Sequence, residues 1–361
     1  MGLRLLDRYL LREFLLLLAL SLFAFLVIFA IVDLFEKIQD FMDNSASAWT
    51  VARYYFYKTP YVVVTVLPVA LLMATFLTLG QMSKFNELTA MVTAGLSTAR
   101  ILVPLFAVAA IAVLVSFALN ESVVPSATRK REAILETEVH RRSVRAPTEY
   151  SNVSFLGRGG RVYLVRLYLV PEHRMHDVLV TEFRGDAISR RIDARMARWD
   201  GRQWIFQDGV VRTFRAGRET AEPFAARGFP ELPEHPEDFS KQQEDPDEMG
   251  FLALADYVRR LEQSGLRVEK YLVELHLKLA FPFINLIVVV LGAALASQLR
   301  QPNAALGFGI SVSIAFLYYG LMRAGQALGQ SGSVPPAIAA WAANALLMAI
   351  AVGLLYRAQR R

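Results

Sequence analysis

Six stretches of this chain are each apolar and long enough to cross about 30 Å of hydrocarbon, which takes about 20 residues of α-helix. They are Phe14–Val32, Tyr61–Leu79 and Ile101–Leu119, then, after a long polar interval, Leu279–Ala296, Ala304–Met322 and Ala337–Leu355. A span in lipid must satisfy its backbone hydrogen bonds internally, so runs of this length fold as helices. The fold class that follows is a polytopic α-helical membrane protein, three helices, an insert and three more. Composition agrees: 54% hydrophobic and 20% charged residues is too apolar for a soluble globule. The absence of cysteine excludes disulfides, thiolate metal sites and thiol nucleophiles. The first span follows Arg4, Arg8 and Arg12, as a signal peptide would, but its apolar core is too long for one. It is expected to be an uncleaved span.

Six spans place both ends of the chain on one side. That side carries Arg4, Arg8, Arg12, Lys84, Arg100, Arg300, Arg357, Arg360 and Arg361, against Lys37, Arg53, Lys58 and Arg323 on the other. The excess of basic residues marks the cytoplasmic side, so the termini are expected there and the insert outside. The insert is itself rich in arginine, but long translocated segments are exempt from this rule.

Within the insert the pattern changes to short alternating runs: Arg161–Val170, Asp177–Phe183 and Arg198–Phe214. Gly159-Gly160, Asp200-Gly201 and Asp208-Gly209 read as hairpin turns between them. This predicts an all-β antiparallel domain, a sandwich or jelly roll. Val124–Arg142 is charged and reads as an outward helical continuation of the third span. Glu231–Gly250, acidic and punctuated by Pro233, Pro236 and Pro246, reads as an extended linker. Phe251–Gly265 spaces Leu254, Val258 and Leu261 helically, as an amphipathic helix returning to the membrane. The expected domains are residues 1–122, with spans one to three; 123–250, the β domain and acidic linker; and 251–361, the return helix and spans four to six.

No nucleotide-binding, zinc-protease or serine-hydrolase motif is present. His173 and His176 lack a third ligand at a credible spacing and read as part of a solvated turn. The chain is expected to have no catalytic residue, metal or cofactor of its own. The informative polar residues lie near the membrane, where a charge costs roughly 2.5–3.5 kcal/mol at mid-bilayer on insertion scales. Glu274, His276 and Lys278 open the fourth span, ahead of Pro282. Either Lys278 snorkels or pairs with Glu274 one turn away, or it lines a cavity for an anionic, lipid-tailed ligand with Lys37 and Arg323. Lys37 sits between Glu36 and Asp40, as an ordinary loop charge would.

One connector is too apolar for its place. In "SKFNELTAMVTAG", Ser83–Gly95, a helix would align Phe85, Leu88, Met91, Val92 and Gly95, with Glu87 at the edge of the stripe. Interfacial helices usually carry Lys or Arg on their polar face; this one carries Asn86, Thr89, Ala90 and Thr93. A tight return, a helix in the headgroup layer and a protein-docking helix all remain open on pattern alone.

Four blocks carry a resemblance: "LDRYLLREF" (Leu6–Phe14), "LPVALLMATFLTLGQMSKFNELTAMVTAGLS" (Leu67–Ser97), "ELHLKLAFPF" (Glu274–Phe283) and "FLYYGLMRAGQALGQSGSVPPAIAAWAANALL" (Phe316–Leu347). Together, and in order along the whole chain, they resemble the LptF/LptG permeases of lipopolysaccharide export. "VDLFEKIQDFMDNSA" after the first span is more similar to the LptG-like member. The resemblance implies a bacterial inner-membrane subunit that pairs with a second, LptF-like permease around a lipopolysaccharide cavity. It implies a cytoplasmic LptB-like ATPase dimer that binds ATP and magnesium, a single-span LptC-like partner, and a periplasmic bridge of jelly-roll domains. It also makes the Ser83–Gly95 loop the coupling helix, Glu87 its acid, and Leu88 and Met91 its apolar contacts. Some family members carry lysine where this chain has Asp33. The alternatives are a non-transporting envelope scaffold, or an ATP-driven permease for another lipid or lipoprotein.

Overall fold

The computed structural model describes residues 5–140, 149–157, 161–184, 187–215, 218–240, 246, 249–263, 268–296 and 304–359. Arg4, Arg300, Arg360 and Arg361 of the charge count, and the predicted turn and cap glycines Gly159, Gly160 and Gly265, lie outside these residues. The chain begins with α1 (Leu5–Asp43), α2 (Ala48–Lys84), the short α3 (Glu87–Thr93), α4 (Thr98–Ala118) and α5 (Val124–Ile134). Six strands follow: β1 (Glu149–Leu156), β2 (Val162–Leu169), β3 (Arg174–Arg184), β4 (Ala187–Trp199), β5 (Trp204–Arg215) and β6 (Arg218–Gly228). Then come α6 (Pro236–Ser240), α7 (Phe251–Gln263), α8 (Glu269–Ala296), α9 (Ala304–Gln330) and α10 (Pro336–Gln359).

Two compact units result: Met1–Arg141 with Pro246–Leu252 and Glu269–Arg361, and Arg142–Asp245 with Ala253–Val268. The bound drawn at residue 123 falls inside a continuous helix. Two π-turns, Leu119–Val123 and Leu135–Val139, link α4 and α5 into a helix that runs on to Val139.

Among the described residues of the first unit, six helices are long and apolar enough to cross a membrane. The apolar runs are the centres of longer rods. At 1.5 Å per residue the 39 residues of α1 extend about 58 Å, well beyond the hydrocarbon. Serines cap the starts of α2 and α4: Ser47 Oγ accepts from the Thr50 amide at 3.1 Å and Ser97 Oγ from the Arg100 amide at 3.3 Å. Pro60 and Pro68 lie within α2, Pro104 within α4 and Pro282 within α8. By contrast, α1 contains neither proline nor glycine.

The bundle is built around α2 and α8. Of their most apolar windows 78% and 67% is buried within the chain, against 11% for α1 and 17% for α9. Gly292 permits the close approach of α8 to α2: a Cβ there would lie 3.0 Å from the Thr75 Cβ. Hydrogen bonds fix the register. Asn285 Nδ2 donates to Ser116 Oγ (3.0 Å), Asn344 Nδ2 to the Ala280 carbonyl (2.7 Å) and the Tyr319 hydroxyl to the Thr65 carbonyl (2.5 Å). Such bonds contribute roughly 0.6 kcal/mol each in lipid.

In the second unit the antiparallel β domain forms as a six-stranded sheet in sequential order, β1 to β6. It is a meander; the two Greek keys of a jelly roll do not occur among the described strands. Alternation places Tyr163 and Val165 of β2, Val178 and Val180 of β3 and Trp204 and Phe206 of β5 in one apolar core, which Tyr168 joins out of phase. Asp200-Gly201 makes a turn between β4 and β5, where the Gln203 and Arg202 amides hold the Asp200 carboxyl below its usual pKa. Asp208-Gly209 does not turn. It lies inside β5, where Gly209 pairs with Ala194 and Phe224, and the Phe224 ring and the Asp193 carbonyl leave no room for a Cβ.

The acidic linker is also corrected in its first half. Leu232, Glu234 and Phe239 are buried, and residues 229–240 lie against the apolar face of the sheet. The Tyr163 hydroxyl donates to Glu234 Oε2 (2.6 Å), Trp204 Nε1 to the Glu234 carbonyl (2.8 Å) and the Tyr168 hydroxyl to the Pro236 carbonyl (3.1 Å). Burial, and then the bond to Glu234, raise the Tyr163 pKa well above that of free tyrosine. The Phe239 ring stands 4.8 Å from Phe155 and 5.6 Å from Trp204. A single sheet layer needs a cover for its apolar face, and this segment supplies it.

Candidate functional site

The connector between α2 and α4 is held in a defined shape by two left-handed residues. Asn86 (φ 58°) ends the α2 turn and starts α3, and Gly95 (φ 90°) ends α3. The Gly95 amide donates to the Val92 carbonyl and the Leu96 amide to the Met91 carbonyl, a Schellman cap. Gly95 therefore closes the helix, where the sequence placed it in the apolar stripe.

The rest of the stripe divides. Phe85 is 66% exposed and Val92 48%, whereas Leu88 and Met91 are half-buried against the bundle core. Leu88 and Met91 thus rest partly on their own bundle, and Phe85 and Val92 are the more open residues of the stripe. A seven-residue helix resting on a surface must bury one flank of its stripe there. Glu87 is half-buried and accepts from the Tyr9 hydroxyl of α1, at 3.2 and 3.3 Å to its two oxygens. Beside it, Arg100 Nη2 of α4 bonds Asp7 Oδ2 of α1 at 2.7 Å. Leu6, Leu10, Met91, Leu96 and Ile101 join that pair in lining a cleft. Sequence reasoning missed Asp7, Tyr9 and Arg100 as partners, because they lie 78 and 93 residues from the groups they meet.

The cavity candidates Lys37, Lys278 and Arg323, and Glu274 with them, lie at the opposite end of the helices and fall into separate groups. Lys37 Nζ donates to the Tyr54 hydroxyl (2.6 Å) and sits over the Tyr54 ring. Asp33, the departure from the lysine of some relatives, is buried and bonds Lys58 Nζ at 2.5 Å and the Tyr55 hydroxyl at 3.0 Å. Lys58 thereby neutralises the carboxylate inside the bundle, and its ammonium also lies 5.6 Å from the Phe29 and Tyr54 rings. Glu274 accepts from Gln326 Nε2 (2.5 Å) and Gln330 Nε2 (2.8 Å) of α9. Arg323 Nη1 donates to the other end of the Gln326 amide (2.8 Å), so Glu274 and Arg323 are joined through one side chain. Lys278 is half-buried one turn along α8 from Glu274. His173 lies in the turn after β2 and His176 within β3.

Over residues 8–357 the sequence matches the family described as lipopolysaccharide export system permease LptF/LptG. The chain belongs to that family. A comparison with curated proteins returns no match. The LptF/LptG permease described here is thus a multi-pass membrane subunit of a lipopolysaccharide exporter, and its β domain is the insert between its two sets of helices.

Proposed function

We propose that this permease, an LptG-like subunit of the bacterial inner membrane with cytoplasmic termini, extracts lipopolysaccharide under the power of a separate ATPase dimer. ATP and magnesium are bound by that ATPase. The α3 loop is the coupling element, and Phe85 and Val92 are its apolar contacts, with Glu87 the acid beside them. The observation that carries this reading is their exposure, 66% and 48%, on a loop whose Leu88 and Met91 rest against its own bundle. An LptF-like second permease closes the lipid cavity, its helices covering the open apolar faces of α1 and α9. Lys37, Lys278 and Arg323 face the anionic headgroup in that cavity, and Glu274 holds Arg323 in place through Gln326. The lipid then leaves by the periplasmic β domain towards an LptC-like partner and the bridge, out of water that charges about 25 cal/mol per Å² of exposed chain.

The test is Glu87→Arg together with Phe85→Ser/Val92→Ser in the full complex. Recovery of the ATPase with the permease should fall, and ATP-dependent extraction with it, while insertion and yield stay unchanged. Undiminished extraction by both variants removes the coupling assignment.

A further inference from the structure

Two side-chain links fasten the start of α1 to the α3–α4 connector: Tyr9 to Glu87, and Asp7 to Arg100. The carboxylate of Asp7 is sheltered, 14% exposed, and the apolar cleft formed by Leu6, Leu10, Met91, Leu96 and Ile101 surrounds the pair. α1 itself is unlike the helices that flank the connector. α2 has Pro60 and Pro68 and α4 has Pro104, points at which a helix kinks. α1 has no proline or glycine in 39 residues, and only 11% of its most apolar window is buried within the chain. At its far end it carries Asp33 and Lys37, bonded to Lys58, Tyr55 and Tyr54 of α2.

A stiff rod, pinned at one end to the connector and at the other to a polar group, moves as one body. We propose that α1 is the strut that carries motion of the α3 connector across the membrane, and that Asp7 and Tyr9 are the positioning residues that attach it. A shift of α3 then arrives about 40 Å away, at Asp33 and Lys37, without bending α2 or α4. This inference rests on the coupling reading above.

Charge exchange separates attachment from folding. Asp7→Arg, Arg100→Asp and the double exchange would be made in the permease purified with its second permease and the ATPase. The chain has no cysteine, so labels can be placed at Met42→Cys on α1 and Ile338→Cys on α10, both exposed. Pulsed spin-label distances are then read with and without a non-hydrolysable ATP analogue. The expected result is a nucleotide-dependent distance change in the parent. Asp7→Arg should lose it, with ATPase recovery intact and extraction lowered at least about fivefold, and the double exchange should restore both. Tyr9→Phe combined with Asp7→Asn should give the same loss. An unchanged distance response in Asp7→Arg overturns the strut, as does a loss that the double exchange fails to restore. If the parent permease recovers no ATPase, the coupling reading falls and the strut with it.

Discussion

Asp33 places a carboxylate in an apolar helix, and its cost is met by Lys58 and Tyr55. Buried pairs are roughly neutral against apolar residues of the same size, but a lone survivor is not. Asp33→Ala should therefore lower stability by about 3–5 kcal/mol, whereas Asp33→Leu/Lys58→Met should stay near the parent; thermal unfolding in micelles measures both. A single variant as stable as the double would remove the pairing argument. The sequence flagged Asp33 only as a departure from some relatives, because its partner lies 25 residues away. Likewise, periodicity put Leu88, Met91, Phe85 and Val92 in one stripe. Only packing decides which flank of so short a helix is covered.

At the scale of elements, legibility followed the strength of the solvent constraint. An apolar run of 20 residues in lipid has one solution, so all six spans could be read from composition, and only their ends were underestimated. The sheet was half legible. β5 and the first half of β2 alternate, whereas β4, "AISRRIDARMARW", buries only Ile192, Ala194 and Ala197 among four arginines. β6, "RETAEPFAARG", lies at the edge of the sheet and carries little apolar signal. Residues 229–240 were hidden by their acids and prolines, although Phe229, Leu232 and Phe239 were there to read as a buried cover. Phe239→Ala should thus behave as a core truncation, costing about 3–5 kcal/mol of β-domain stability, read from the denaturation midpoint of Trp204 fluorescence. A change below about 0.5 kcal/mol, the level of a surface substitution, would restore the linker reading.

For the whole molecule, the division into a helical bundle and a β domain was legible. The arrangement of the polar groups was not. Lys37 joins Tyr54 while Glu274 and Arg323 meet through Gln326, since which side chains face one another depends on helix rotation. The slight internal burial of α1 and α9 also bears on how cells keep subunits in proportion. If a second permease covers α1 and α9, as proposed above, the chain is completed by that partner, and its folded population then rises with partner concentration. Expressed without a second permease, it should unfold at lower temperature and turn over faster in the membrane; pulse-chase with and without the partner measures this, and equal half-lives would count against it. Exporter stoichiometry would then need no separate regulator, because proteolysis of unmatched copies would set it.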